Sequence, residues 1–185
     1  ENLLLSSGTA SGKTEAAFLP VLTRLWENPS ASVGVLYLSP LKALINDQFE
    51  RLEGLLEEAA IPVTKWHGDA SAAAKKRVMK RPQGIIQTTP ESLESMLMHN
   101  SSGAYRLFSD LRFIIIDEMH YFMDNDRGLQ LLCLLERLAR LIGYHPRRIG
   151  LSATLGDCTS AVQWLNTDSG RDCIVPKCHE KGRSL

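Results

Sequence analysis

The sequence predicts an α/β fold in which a mostly parallel sheet is covered by helices on both faces. Short apolar runs alternate with longer stretches of helical period, a pattern typical of parallel sheets. The 185 residues, 44% hydrophobic and 23% charged, can bury one sizeable core. No apolar run approaches the roughly 18 residues that a membrane span requires. We therefore expect one globular domain with no membrane-inserted segment.

Each predicted strand ends in a polar or small-residue motif. The predicted strands are 2–6, 33–38, 63–66, 84–88, 113–117 and 148–152, and the predicted helices are 13–26, 43–59, 71–80, 91–98, 129–142 and 159–165. In open α/β sheets, ligands bind beyond the carboxyl ends of the strands. The motifs at these strand ends are therefore the candidate functional residues.

The first of these motifs predicts a phosphate-binding loop. The segment SGTASGKT, residues 7–14, follows an apolar strand and opens a helix, which is the context that such a loop requires. Small residues let backbone amides approach phosphates, and the helix start carries partial positive charge. The predicted nucleotide-binding residues are Gly8, Thr9, Ala10, Ser11, Gly12, Lys13 and Thr14.

Two side chains of this loop have additional predicted roles. Lys13 would reach the terminal phosphates, and the Thr14 hydroxyl would coordinate Mg²⁺. The strict phosphate-loop pattern has glycine where this chain has Ser7, although the GKT core is intact. A chance glycine turn between a strand and a helix is the alternative interpretation.

The segment RFIIIDEMH, residues 112–120, predicts the acidic partner of that loop. A buried β-branched run ends here in two adjacent carboxylates. Asp117 would meet the Mg²⁺ ion, and Glu118 would polarise the attacking water as a general base. An exposed acidic turn is the alternative interpretation, and it is common for the pair DE alone.

Five segments together resemble the motifs of superfamily 2 helicases. DEMH resembles their DExH box and SGTASGKT their motif I; SPLKALINDQ resembles motif Ia, TTPESL motif Ib and LSATL motif III. Within this superfamily the sequence is most similar to large helicase-related (Lhr-type) proteins, through segments such as GKTEAAFLP, WHGD, IIIDEMH, RGLQ and RIGLSATLGD. The resemblance implies the first RecA-like domain of a motor that uses ATP and Mg²⁺ and moves along single-stranded nucleic acid. In that family the nucleic acid is usually DNA, and the work is often DNA repair.

A nucleic-acid edge is predicted at two other strand ends. The formal net charge is zero, so such a site must be local rather than a broad cationic surface. Each of the two loops precedes a helix whose first-turn amides are free donors, which suits backbone phosphates of any sequence. Simple helix capping is the alternative for either loop alone. The predicted contacts are Pro40, Leu41, Lys42, Thr89, Pro90 and Glu91.

The family resemblance also implies coupling residues. Ser152 and Thr154 would hydrogen-bond back to the DEMH loop, with His120 as the recipient and as a fourth catalytic residue beside Lys13, Asp117 and Glu118. In isolation, His67 and His120 are more typical of packed or hydrogen-bonded histidines. The four cysteines are expected to be reduced thiols without a zinc site.

Residues 1–170 are predicted to form the RecA-like ATP-binding domain, and residues 171–185 a last strand and a linker toward a second RecA-like domain of the same chain. The resemblance places an adenine-recognising glutamine and arginine fingers outside these residues, so little ATP turnover is expected from this segment alone. A cytoplasmic location is expected because no secretory signal is recognisable. Two other functions stay open: a nucleotide-dependent binding or switch module without motor activity, and, less favoured by the motif series, a small-molecule kinase.

Overall fold

Seven parallel strands form one sheet at the centre of the described fold, with the order β3-β4-β2-β5-β6-β1-β7. The structure is a computed structural model that describes residues 1–8, 12–153 and 158–176, except for the side chains of residues 47–49, 51–53, 55 and 58. The strands are β1 (Asn2–Ser6), β2 (Val35–Leu38), β3 (Val63–Trp66), β4 (Ile85–Thr88), β5 (Phe113–Ile116), β6 (Arg147–Ser152) and β7 (Cys173–Ile174). The predicted sheet is confirmed.

Helices cover both faces of this sheet. They are α1 (Lys13–Glu27), α2 (Lys42–Glu58), α3 (Ala72–Lys80), α4 (Pro90–His99), α5 (Ser101–Phe108), α6 (Asp126–Ile142) and α7 (Cys158–Asn166), together with a 3₁₀ helix at Met119–Tyr121. No helix among the described residues is long and apolar enough to cross a bilayer.

The alternation of side chains along β2 separates two hydrophobic clusters. Val35 and Tyr37 pack with Phe18 of α1 on one face, whereas Leu36 and Leu38 belong to the cluster on the other face. That second cluster also receives the buried side chains of α4 to α7. Both faces of the central strands are therefore buried, which explains why these strands are continuous apolar runs.

Helix α5 was not among the predicted helices. It has only eight residues and begins with Ser-Ser-Gly, so its composition is typical of a loop. The Asn100 side chain caps it by accepting a hydrogen bond from the Gly103 amide at 3.0 Å. Leu107 and Phe108 are fully buried, so tertiary packing stabilises this helix despite its weak propensity.

Helix α6 begins at Asp126, three residues before the predicted start at 129. The Asn125 side chain accepts a hydrogen bond from the Gly128 amide at 3.0 Å, so Asn125 is the N-cap. This first turn therefore belongs to the helix, and it brings Arg127 toward the functional edge of the sheet.

The carboxyl ends of the strands lie in register at one edge of the sheet. Ser6 pairs with Ser152, and Ile116 pairs with Gly150, so the loops after β1, β5 and β6 are neighbours. On the other side, Leu38 and Trp66 both pair with Thr88, so the loops after β2, β3 and β4 are neighbours as well. The loops at this edge thus form two adjacent groups, one after β1, β5 and β6 and the other after β2, β3 and β4.

Candidate active site

The loop after β1 turns into α1 through a left-handed glycine. Gly12 is the N-cap of α1, with φ of 77°, and its carbonyl accepts a hydrogen bond from the Ala16 amide at 2.9 Å. A side chain at this position would strain the backbone, although its Cβ would have space. The loop therefore requires glycine where the GKT core supplies it.

Lys13 folds back over this loop. Its ammonium donates hydrogen bonds to the carbonyl oxygens of Ser7 and of Gly8, the latter at 3.3 Å. Thr14 follows in the first turn of α1 and is buried. An ammonium group at the positive end of a 15-residue helix fits the phosphates of a nucleotide. Thr9, Ala10 and Ser11 lie outside the described residues, so their contacts stay predictions.

Asp117 is a buried carboxylate at the end of β5, only 5% exposed. The Tyr37 hydroxyl donates a hydrogen bond to Oδ2, and the Glu118 amide donates one to Oδ1 at 2.9 Å. Burial raises the pKa of Asp117, and the negative charge of Glu118 adds to this, whereas the Tyr37 hydrogen bond and the Lys13 charge lower the pKa. Together these effects leave the pKa of Asp117 above its ordinary value. A cation bound beside Asp117 would lower this pKa.

Glu118 lies in the left-handed region of the backbone, with φ of 46°. This conformation costs a non-glycine residue about 1–2 kcal/mol and is typical of functional turns. It turns the chain from β5 into the 3₁₀ helix at Met119–Tyr121. As a result, the Glu118 carboxylate leaves the line of the strand, and its Oε2 atom lies 3.3 Å from His120 Nδ1.

His120 brings the DEMH turn and the end of β6 together. Its Nδ1 atom lies 3.3 Å from the hydroxyl of Ser152, which is fully buried. The structure thus places one of the two predicted coupling residues against the predicted recipient. Thr154 lies outside the described residues.

The second group of strand-end loops encloses a cleft of about 530 Å³. Five of the six predicted nucleic-acid residues line it, with segments after β3 and in α3 and α4 completing the wall. The lining residues are Pro40, Leu41, Lys42, Trp66, His67, Gly68, Lys75, Thr89, Glu91, Ser92 and Ser95. Sequence reasoning thus assigned two of the three loops around this cleft and missed the WHGD loop.

Pro90 does not line the cleft. It occupies the first position of α4 and is buried, while the Thr89 hydroxyl caps the helix by accepting a hydrogen bond from the Ser92 amide at 3.4 Å. Lys42 lines the cleft but also pairs with Asp69, with 2.9 Å between Nζ and Oδ2. Because both side chains are largely exposed, this pair contributes little and leaves Lys42 available to a phosphate.

His67 is a buried histidine in the wall of this cleft, 5% exposed. Among the described residues, neither of its ring nitrogens has a hydrogen-bond partner. Burial lowers its pKa, and the positive charges of three lysines contribute, whereas Asp69 opposes them. The expectation of a packed histidine is correct, and the neutral form is favoured.

Sequence reasoning did not assign Tyr37 or Arg127. Tyr37 is part of a buried strand, where its sequence context indicates only core packing, yet its hydroxyl reaches Asp117. Arg127 donates hydrogen bonds to the Pro40 carbonyl at 2.6 Å and to Glu91 Oε1 at 2.9 Å. The RGLQ segment was the available signal for Arg127, but it did not indicate these partners.

A parallel α/β domain with a phosphate loop after β1 and a DExH turn after β5 defines a helicase-type ATPase domain. The family model for DEAD/DEAH box helicase matches residues 1–161. The chain belongs to this family, and the predicted family and RecA-like fold are both confirmed.

Similar proteins include the ATP-dependent helicase Lhr-Core of Methanocaldococcus jannaschii, 37% identical over 95% of this chain. The solved helicase Lhr of Mycobacterium smegmatis, bound to single-stranded DNA and AMP-PNP, is 34% identical over 95% of this chain with a TM-score of 0.76. The DUF1998 helicase MrfA, bound to DNA and AMPPNP, is 29% identical over 96% of this chain with a TM-score of 0.82. The chain spans 22%, 24% and 25% of these three proteins respectively.

Proposed function

We propose that this chain is the ATP-binding domain of a motor that couples ATP hydrolysis to movement on, or unwinding of, nucleic acid, with single-stranded DNA favoured. One observation carries this proposal: the phosphate loop, the DExH turn and the cleft built from motifs Ia and Ib lie side by side at one edge of one sheet. A change at the nucleotide thus has a short path to the nucleic acid.

In this proposal ATP binds through the loop at residues 8–14. The Lys13 ammonium exchanges its two backbone carbonyl partners for the terminal phosphates, which are better partners for a cation. Thr14 and Asp117 would hold Mg²⁺, which neutralises charge on the phosphates. Tyr37 keeps Asp117 oriented, and the Glu118 carboxylate accepts a proton from the attacking water.

Nucleic acid is proposed to bind in the cleft through its backbone. The helix start of α2 offers first-turn amides, and Lys42 and Lys75 add positive charge. At the start of α4, Pro90 has no amide hydrogen and the amides of Glu91 and Ser92 already have partners, so the predicted free donors are not found there. Contacts of this kind do not depend on base identity, as a protein that steps along a strand requires. The preference for DNA rests on the resemblance to Lhr-type proteins.

Coupling between the two sites is proposed to pass through His120 and Ser152. Their 3.3 Å contact joins the DEMH turn to β6, which pairs with β1 and so with the start of the phosphate loop. The predicted role of Thr154 belongs to the same proposal.

The domain boundaries are also part of this proposal. The predicted boundaries are residues 1–170 for the first RecA-like domain and residues 171–185 for a last strand and a linker toward a second one, whose arginine would complete the active site. Strand β7 (Cys173–Ile174) pairs with β1, so this last strand extends the sheet of the first domain. Without that arginine, the isolated chain is expected to bind ATP with little turnover. A role in DNA repair and a cytoplasmic location stay predictions that rest on the sequence.

A switch module that binds ATP without hydrolysing it is the alternative function. Such a module has no use for a general base, whereas Glu118 is held beside Asp117 by a left-handed turn. A small-molecule kinase would have no use for the cleft of motifs Ia and Ib. The described residues therefore favour the motor.

ATP hydrolysis by the full-length protein that carries this domain tests the proposal. We expect single-stranded DNA to increase turnover more than single-stranded RNA does. Lys13→Ala should lose ATP binding, and Glu118→Gln should keep ATP binding but lose turnover. Hydrolysis that is indifferent to both nucleic acids, or that survives Glu118→Gln, would contradict the motor.

A further inference from the structure

Arg127 joins the two nucleic-acid loops through one side chain. Its Nη2 atom donates a hydrogen bond to the Pro40 carbonyl at 2.6 Å, and its Nε atom donates one to Glu91 Oε1 at 2.9 Å. These partners are 87 and 36 residues away in the chain. The planar fork of a guanidinium suits such simultaneous contacts, which a lysine cannot reproduce. Arg127 therefore fixes the distance between the loop after β2 and the start of α4.

The same first turn of α6 also contacts the DEMH side of the edge. The guanidinium carbon of Arg127 lies 5.5 Å from the centre of the Phe122 ring, which is fully buried and closes the 3₁₀ helix at Met119–Tyr121. At Gly128, a Cβ atom would lie 1.6 Å from the Phe122 carbonyl oxygen, so the two backbones are in direct contact. A movement of the DEMH turn therefore has to move the first turn of α6.

The contact between Arg127 and Glu91 is important for the cleft because Glu91 carries a negative charge. Partial burial raises the pKa of Glu91, but hydrogen bonds from its own amide, from Thr89 and from Arg127 outweigh this effect and lower the pKa. An ionised Glu91 in the cleft wall would repel phosphates. Arg127 neutralises this charge and directs the carboxylate toward α6.

We propose that Arg127 is a positioning residue that transmits the nucleotide-dependent state of the DEMH turn to the nucleic-acid cleft. This inference rests on the proposed function, since it assumes that ATP and nucleic acid bind at the two sites. Arg127 acts through Pro40 and Glu91 and needs no contact with either ligand. Loss of Arg127 would leave the charge of Glu91 unneutralised and weaken DNA binding with and without nucleotide, so the coupling between the sites is the quantity specific to this inference.

A matched control lies one turn further along α6. Gln130 donates a hydrogen bond to Glu94 Oε2 at 2.7 Å and so joins the same two helices, α6 and α4. Neither Gln130 nor Glu94 lines the cleft. Gln130→Leu thus removes a comparable hydrogen bond between these helices without touching Pro40 or Glu91.

The test compares the affinity of the full-length protein for single-stranded DNA with and without AMPPNP. The ratio of the two dissociation constants measures coupling. In the wild-type protein we expect a ratio different from one by about fivefold or more. Arg127→Gln should bring the ratio close to one while the affinity for AMPPNP alone stays within about twofold, and Gln130→Leu should keep the wild-type ratio.

Arg127→Lys is the second variant, because it keeps the positive charge over Phe122 but cannot make the forked contact. We expect it to lose most of the coupling as well. If both Arg127 variants keep the wild-type ratio, this inference is overturned and the proposed function is not. Equal loss of coupling in Gln130→Leu would also overturn it, because general loosening of α4 against α6 would then be the cause. A wild-type protein without DNA binding or without coupling would contradict the proposed function itself, and this inference with it.

Discussion

The Nδ1 atom of His120 lies 3.3 Å from the hydroxyl of the fully buried Ser152. The same nitrogen lies 3.3 Å from Glu118 Oε2, so one imidazole contacts both the proposed general base and the end of β6. Strand β6 pairs with β1, which leads into the phosphate loop. A side chain in this position can respond to the nucleotide from two sides.

Replacement of Ser152 by alanine tests this contact. We expect nucleotide affinity to stay within about twofold in the full-length protein, whereas stimulation of ATP turnover by single-stranded DNA should fall about three- to tenfold, the range for one lost hydrogen bond. Ser101→Ala, at the exposed start of α5, is the control and should leave both quantities unchanged. Undiminished stimulation in Ser152→Ala would remove this contact from the coupling mechanism.

Replacement of Tyr37 by phenylalanine removes the hydroxyl that donates to Asp117 and keeps the ring that packs 5.7 Å from Phe18. A buried carboxylate that loses a donor costs about 1–3 kcal/mol, so the free energy of unfolding at pH 7 should fall by this amount. Tyr105→Phe, on an exposed side chain of α5, should change nothing. The measurement is chemical denaturation, and equal stability of the two variants would show that the hydroxyl does not support Asp117.

His67 predicts a specific pH dependence of stability. Its pKa in the folded state lies below the unfolded value of 6.5, chiefly because the ring is buried; Asp69 raises the pKa, and Lys42, Lys75 and Lys65 lower it further. Protonation therefore favours the unfolded chain: the full stability is present above pH 6.5 and is lost as the pH falls through the lowered folded-state pKa.

His67→Asn should therefore flatten the loss of stability on acidification. The free energy of unfolding, measured at several pH values below 6.5, gives the slope for each variant. His99→Gln is the control, because His99 is an exposed histidine at the end of α4. The prediction fails if His67→Asn and wild type lose stability in parallel.

Two glycines predict opposite effects of an added methyl group. At Gly128 a Cβ would lie 1.6 Å from the Phe122 carbonyl oxygen, so Gly128→Ala must displace the backbone and should cost about 1–3 kcal/mol or more. At Gly54, an exposed position of α2 with open space, Gly54→Ala should stabilise the protein by about 0.5–1 kcal/mol. Thermal unfolding midpoints of the two variants check both signs, and a tolerated Gly128→Ala would exclude the close contact.

The elements that sequence reasoning predicted are those with a strong local signal. The run Phe113–Ile116 is too apolar for a surface position, and the GKT core needs its glycine for the left-handed cap of α1. Helix α5 was missed because its eight residues begin like a loop and fold only through the burial of Leu107 and Phe108.

The missed site residues act over long sequence separations. Tyr37 reaches Asp117 across 80 residues, and Arg127 reaches Pro40 across 87. Nothing in a single strand or helix turn indicates such partners, because they depend on the order of the strands in the sheet. The WHGD loop was not assigned to the cleft for the same reason: β3 pairs with β4, which places His67 beside the loop of Thr89.

In the proposed function, ATP hydrolysis at Glu118 drives movement along a single strand. The most direct test is the displacement of streptavidin from the end of biotinylated single-stranded DNA by the full-length protein with ATP. We expect wild type to displace streptavidin and Glu118→Gln to bind the same DNA without displacement. If the wild-type protein hydrolyses ATP on DNA but displaces streptavidin from neither end, this result contradicts the motor.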